Sequence, residues 1–161
     1  MTTYMEKHSV DGLTVSTQDL MVSLKKIPVT SSILTRCLGQ LSDAGVNVDI
    51  ITQTAPVKNA IDVSFIVFES DLEKVREVIN QLGEEYPEIK LVINRDVTRI
   101  SVSGIGMRTQ SGVSAKFFQA MADNDIQILM ITTSEISISC IIRSEDADNA
   151  IRATKETFHL D

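Results

Sequence analysis

The sequence predicts an α+β fold of two similar β-α-β-β-α-β units, each an antiparallel sheet with two helices on one face. Strand and helix signals alternate along all 161 residues, and one twelve-residue segment recurs in the second half. Hydrophobic residues make up 43% and charged residues 23%, which separates this chain from disordered sequences. With 4% aromatics and no Trp, the cores must be built from Ile, Val, Leu and Met.

Leu20–Leu24 is a short β-type run. From Thr30 to Ala44, Ile33, Leu34, Cys37, Leu38 and Leu41 recur at helical spacing, and Gly45 is placed to end that helix. Val46–Thr52 and Ile61–Phe68 are β-branched alternating runs, read as paired strands with a loop around Pro56 and Asn59. Ser70 and Glu73 have the spacing of a capping box. Behind them Leu72, Val75, Ile79 and Leu82 form an apolar stripe that Gly83 is expected to close, and Lys90–Ile93 follows as a strand.

The order then repeats. Thr98–Ser103 is a strand, Gly104–Gly112 a glycine-containing loop, and Val113, Phe117, Ala120 and Met121 mark a helix. Ile126–Ile131 and Ile136–Ile142 are strands, and Ser144 is expected to cap a last helix whose first turn is acidic. Leu41–Thr52 lies over Met121–Thr132 with coinciding apolar positions and the matches Asp43/Asp123, Ile51/Ile131 and Thr52/Thr132. A repeat of this kind points to two ferredoxin-like units.

Several function classes are disfavoured. The net charge is −7 and no Lys/Arg cluster exceeds Lys25-Lys26, so a nucleic-acid partner is not expected. No apolar run approaches the roughly 20 residues of a bilayer crossing, nor does the N-terminus resemble a signal peptide. Cys37 and Cys140 lack metal-ligand spacing and read as buried reduced thiols of a cytoplasmic protein. His8 and His159 lie at the chain ends, with no triad, no P-loop and no complete G-x-G-x-x-G. The expectation is therefore no catalytic residue, no metal and no cofactor in this chain. What remains is the loop Gly104–Gly112, where free amides at a helix start can receive a carboxylate.

Val102-Ser-Gly-Ile-Gly-Met-Arg-Thr-Gln-Ser-Gly-Val113 and Ile131-Thr-Thr-Ser-Glu-Ile-Ser-Ile-Ser139 resemble the second ACT domain of aspartate kinase, a phosphotransferase with a carboxyl acceptor. The resemblance runs from about Val10 to the end, and the kinase's own Lys-Phe-Gly-Gly segment has no counterpart here. It implies a regulatory β subunit or an excised regulatory region, with ACT domains at 17–95 and 96–161. It also implies that a strand near 10–16 joins the second domain's sheet.

The family's effector contacts carry over to Met107, Arg108, Thr109, Gly112, Val113 and Ser114. Gln127, Ile128, Thr133, Ser134 and Glu135 complete the set in the second copy, and Gln53, Ser64 and the loop Val29–Ser32 are their counterparts in the first. The family's Asp-x-Pro-Gly in that loop is replaced by Val29-Thr30-Ser31-Ser32, so unequal binding by the two copies is expected. The implied function is feedback inhibition by lysine or threonine, with an ACT-paired homodimer and the kinase's catalytic domain or α subunit as partners. The competing reading is a stand-alone ACT sensor serving another enzyme or a transcription factor.

Overall fold

The computed structural model describes residues 9–108 and 111–161, which form two compact units. One is Gln18–Val97; the other joins the stretch ending at Thr17 to Thr98–Asp161.

In the Gln18–Val97 unit, β2 (Asp19–Pro28), β3 (Asp49–Gln53), β4 (Ala60–Phe68) and β5 (Lys90–Asn94) form an antiparallel sheet in the order β3-β4-β2-β5. Helices α1 (Ile33–Asp43) and α2 (Leu72–Glu85) cover one face. Alternation explains which face: Leu20, Val22 and Leu24 of β2 and Val63, Phe65 and Val67 of β4 are buried against Ile33, Cys37 and Leu41 of α1 and Val75, Ile79 and Leu82 of α2. Asp62 and Ser64, the intervening residues of β4, point to the helix-free face.

The second unit has the same sheet but a different chain order. Strands β1 (Gly12–Ser16), β6 (Val97–Ser103), β7 (Ile128–Thr133) and β8 (Ser137–Arg143) are arranged β1-β6-β8-β7, with α3 (Val113–Asp123) and α4 (Ala147–Phe158) as the helices. Here β1 occupies the edge that β5 holds in the first unit, and it pairs antiparallel with β6 from Gly12↔Ser103 to Ser16↔Arg99. The second copy is thus a permuted βαββαβ unit, whose last strand precedes its three other strands and two helices in the chain. Its core joins Ile100, Val102, Ile138, Cys140 and Ile142 to Phe117, Met121, Ala150 and Phe158. The rings of Phe117 and Phe158 stand 6.3 Å apart.

Details of the repeat persist at the atomic level. A hydroxyl pair bridges the two central strands of each sheet, Ser23–Ser64 at 2.8 Å and Ser101–Ser139 at 2.7 Å. Both first helices end in the same pair of backbone bonds. Val46 N–H donates to Leu41 O and Gly45 N–H to Ser42 O; Ile126 N–H donates to Met121 O and Asp125 N–H to Ala122 O.

Four local expectations are corrected. Ser70 is not the start of α2: a 3₁₀ turn, Glu69–Asp71, intervenes, Asp71 is the residue before the helix, and no side chain caps it. The turn's first amide, Glu69 N–H, is instead bonded to Gln18 O at 2.8 Å. Ser144 likewise opens a 3₁₀ turn before α4, and its hydroxyl lies 3.0 Å from that of Thr98. Gly83 does not end α2, which runs on to Glu85 and is followed by Tyr86. The strands expected from Val46 and Ile126 begin at Asp49 and Ile128, because those two buried residues belong to the helix-ending motif.

Candidate functional site

The sequence-derived site centres on the loop between β6 and α3. Its first part is a 3₁₀ turn, Ile105–Arg108, held by Met107 N–H to Gly104 O at 3.1 Å. Gly104 N–H donates to Ile136 O at 2.9 Å, tying the loop to the β7–β8 turn. Glycine is required there, since a Cβ would overlap the carbonyl oxygen of Ser9. In the first unit Val29 N–H makes the same bond to Asn59 O, also 2.9 Å. The loop thus sits at the same end of both sheets.

Arg108 and Glu135 meet at 3.3 Å across this end. Both are well exposed, so the pair contributes at most about 1 kcal/mol and orients the two loops more than it stabilises them. Ser134 N–H donates to Ser137 O at 2.8 Å, and the Ser134 and Ser137 hydroxyls are 2.9 Å apart. Thr133, Ser134 and Glu135 are exposed, whereas Met107 is half-buried against the core.

Gly112 precedes α3 with φ 91°, a left-handed conformation, and a Cβ built on it would meet nothing within 4 Å. Gly112, the residue before α3, has no side chain with which to cap the helix; Ser114 in the first turn is exposed, while Val113 packs into the core. The first amides of a helix and its dipole favour a carboxylate. Thr109 lies outside the described residues.

Gln127 and Ile128 are not brought to this end. Ile128 opens β7 opposite Ile142, while Thr133, at the other end, faces Ile138. Five residues of extended chain separate the two by roughly 17 Å. Within one chain the expected contacts therefore form two clusters, one at each end of an edge strand. In the first unit Gln53 is exposed at the end of β3, and the Ser64 hydroxyl is engaged by Ser23. The loop Val29–Ser32 is closed by Ser31 N–H to Pro28 O at 2.8 Å, and the Ser31 hydroxyl accepts the Ile33 amide at 3.2 Å. Ser32, which directly precedes α1, makes no capping bond through its side chain.

The only histidine among the described residues is His159, exposed just beyond α4 at φ 53°. Both cysteines are buried and free, and burial pushes Cys37 up to about 11 and Cys140 up to about 12. Among the described residues no three His, Cys, Asp or Glu side chains are placed to hold a metal, and no helix is long and apolar enough to cross a membrane.

Residues 100–158 match the ACT domain family. The chain is 30% identical over 157 residues to an aspartate kinase of Stutzerimonas stutzeri (strain A1501), covering 98% of this chain and 38% of that enzyme. It is also similar to the ligand-free regulatory subunit of aspartate kinase from Thermus thermophilus, at 30% identity and a TM-score of 0.82. That match covers 93% of this chain and 99% of the subunit. The chain belongs to the aspartate kinase family, as a regulatory region. A structure of aspartokinase α and β subunits gives a TM-score of 0.83 at 28% identity, with 94% of this chain and 99% of that one covered. The ACT match falls on the permuted unit, the one that holds the Gly104–Gly112 loop. As an aspartate kinase regulatory region, the chain spans about 38% of the curated enzyme it resembles. It is an allosteric module, and the residues it shares with that enzyme correspond to the regulatory part.

Proposed function

We propose that this region senses an end-product amino acid, lysine or threonine, and relays feedback inhibition to the catalytic part of an aspartate kinase in the cytoplasm. The observation that carries the reading is the split of the expected contacts between the two ends of β7. If a second copy pairs its β7 antiparallel across a twofold axis, the Ile128 end of one chain meets the Thr133 end of the other. Each site then takes its loop from one copy and Gln127 and Ile128 from the partner, so ligand occupancy depends on how the copies are arranged. That dependence is what a population shift requires.

In this arrangement the ligand carboxylate meets the first amides of α3 beside Gly112, and its ammonium meets backbone carbonyls or the Ser134 hydroxyl. The first unit's loop has no glycine, and Pro28 offers no amide. Accordingly, one high-affinity site per chain is expected, lined by the permuted unit.

Calorimetry with lysine and with threonine tests this. One of them should bind, and at 100 times its dissociation constant it adds about 2.7 kcal/mol, a melting shift of several degrees. Ser134→Tyr should weaken binding at least tenfold while leaving the fold intact, since the position is an exposed turn. Unchanged affinity in that variant would move the site elsewhere. Gly112→Val is the weaker test, because φ 91° strains any β-branched residue and lowers stability as well.

A further inference from the structure

At the hairpin end of the Gln18–Val97 sheet, Lys26, Thr54, Val57, Lys58, Ala60 and Asp62 line a hollow of about 550 Å³. None of these is an effector position carried over from the family. Asp62 anchors the hollow: its Oδ1 accepts the Lys26 amide at 2.8 Å, and its own amide donates to Thr54 Oγ1 at 2.9 Å.

The two lysines share an unusual backbone, with φ 57° at Lys26 and φ 51° at Lys58. This left-handed region disfavours a side chain with a Cβ and is ordinarily filled by Gly, Asn or Asp. Lys26 stands where the register of β2 on β4 shifts between Leu24 and Ile27, a bulge position suited to glycine. Lys58 and Asn59 form a two-residue turn closed by reciprocal Val57–Ala60 bonds of 2.9 and 3.0 Å, where Asn-Gly is the favoured pair. Twice, then, lysine occupies a position where it costs stability, and both positions border one hollow. Neither ammonium has an ion pair with a described residue, although the chain carries a net charge of −7. Strained backbone of this kind is frequent at ligand clamps.

We propose that this hollow binds a compact dianion, a phosphate or a dicarboxylate, between the Lys26 and Lys58 ammoniums. Lysine suits such a ligand because each ammonium is a mobile point charge with three donors. Ala60 and the widely exposed Val57 form the apolar wall. The hollow belongs to the Gln18–Val97 unit and the amino-acid site proposed above to the other, and neither proposal depends on the other.

Titration of the full chain at low ionic strength with inorganic phosphate and, separately, with succinate tests the proposal, followed by amide NMR shifts at Lys26, Lys58 and Asp62. Saturable binding of at least one probe below about 10 mM is expected, and the probe that binds identifies the source. The double variant Lys26→Gly/Lys58→Asn should bind at least tenfold more weakly, while its melting temperature rises by about 2–4 °C as strain is relieved. Lys26→Arg/Lys58→Arg should retain binding. No saturation with either probe, or undiminished binding by the uncharged double variant, would overturn the proposal.

Discussion

Asp125 stands where the first unit has Gly45, and the two close their helices with equivalent bonds at φ 55° and φ 77°. Glycine meets that requirement freely and aspartate does so under strain. Asp125→Gly should therefore raise stability by about 0.5–1 kcal/mol, measured by urea denaturation. Gly83 calls for the opposite change. It lies inside α2, where a Cβ would make an ordinary 3.8 Å contact with Leu91, so Gly83→Ala should add about 0.5–1 kcal/mol. The buried thiols set a pH dependence. Above pH 9 an unfolded chain sheds thiol protons that the folded one keeps until about 11 at Cys37 and about 12 at Cys140. The folded state then binds more protons, so stability must fall as pH rises through that window. Urea titrations from pH 9 to 11 should show a shallower fall in Cys140→Ala than in the parent chain.

Elements whose residues alternate or recur at helical spacing were legible in the sequence. Ile33, Cys37 and Leu41 mark α1, and Val63, Phe65 and Val67 mark β4. What escaped was set by partners distant in sequence. Ser70 and Ser144 have the local pattern of caps, but Gln18 and Thr98 claim the neighbouring groups, and no spacing rule sees those strands arrive. Gly83 carries a stop signal, yet α2 continues two residues past it to Glu85. The edge strand β1 is short and its side chains are at best half-buried, so its alternation says nothing of which sheet it joins; only the family resemblance pointed to the second. The candidate site was drawn from glycines and hydroxyls of the sequence, whereas the distance between Ile128 and Thr133 needed the register of β7. The permutation can be tested directly. A chain running Thr98–Asp161, a short linker and Val10–Thr17 should fold cooperatively, whereas Thr98–Asp161 alone should not; circular dichroism melts would separate them.

At the scale of the molecule, each sheet exposes an edge strand beside its hairpin: β3, with Ile51 at 51% exposure, and β7. Unpaired edges of this kind are covered in stable assemblies. The dimer proposed for effector binding covers β7, and light scattering should give twice the 17.7 kDa chain mass. A monomer with and without ligand would count against that arrangement and against a site shared between copies. Effector binding should in turn tighten the dimer, since linkage is reciprocal.

The displaced strand β1 also bears on how the chain is made. During synthesis Gln18–Val97 emerges as a contiguous stretch and can close its own sheet before the rest exists. Strand β1 leaves the ribosome earlier still but has no partner until β6 appears, with that entire unit spliced between them. The finished unit therefore serves as a compact spacer, which lowers the loop-closure cost of uniting β1 with β6 below that of an unfolded stretch of equal length. Nascent chains halted just after Val97 should resist proteolysis within Gln18–Val97 while Gly12–Ser16 is still cut. Protection of Gly12–Ser16 should come only when the chain continues past β8.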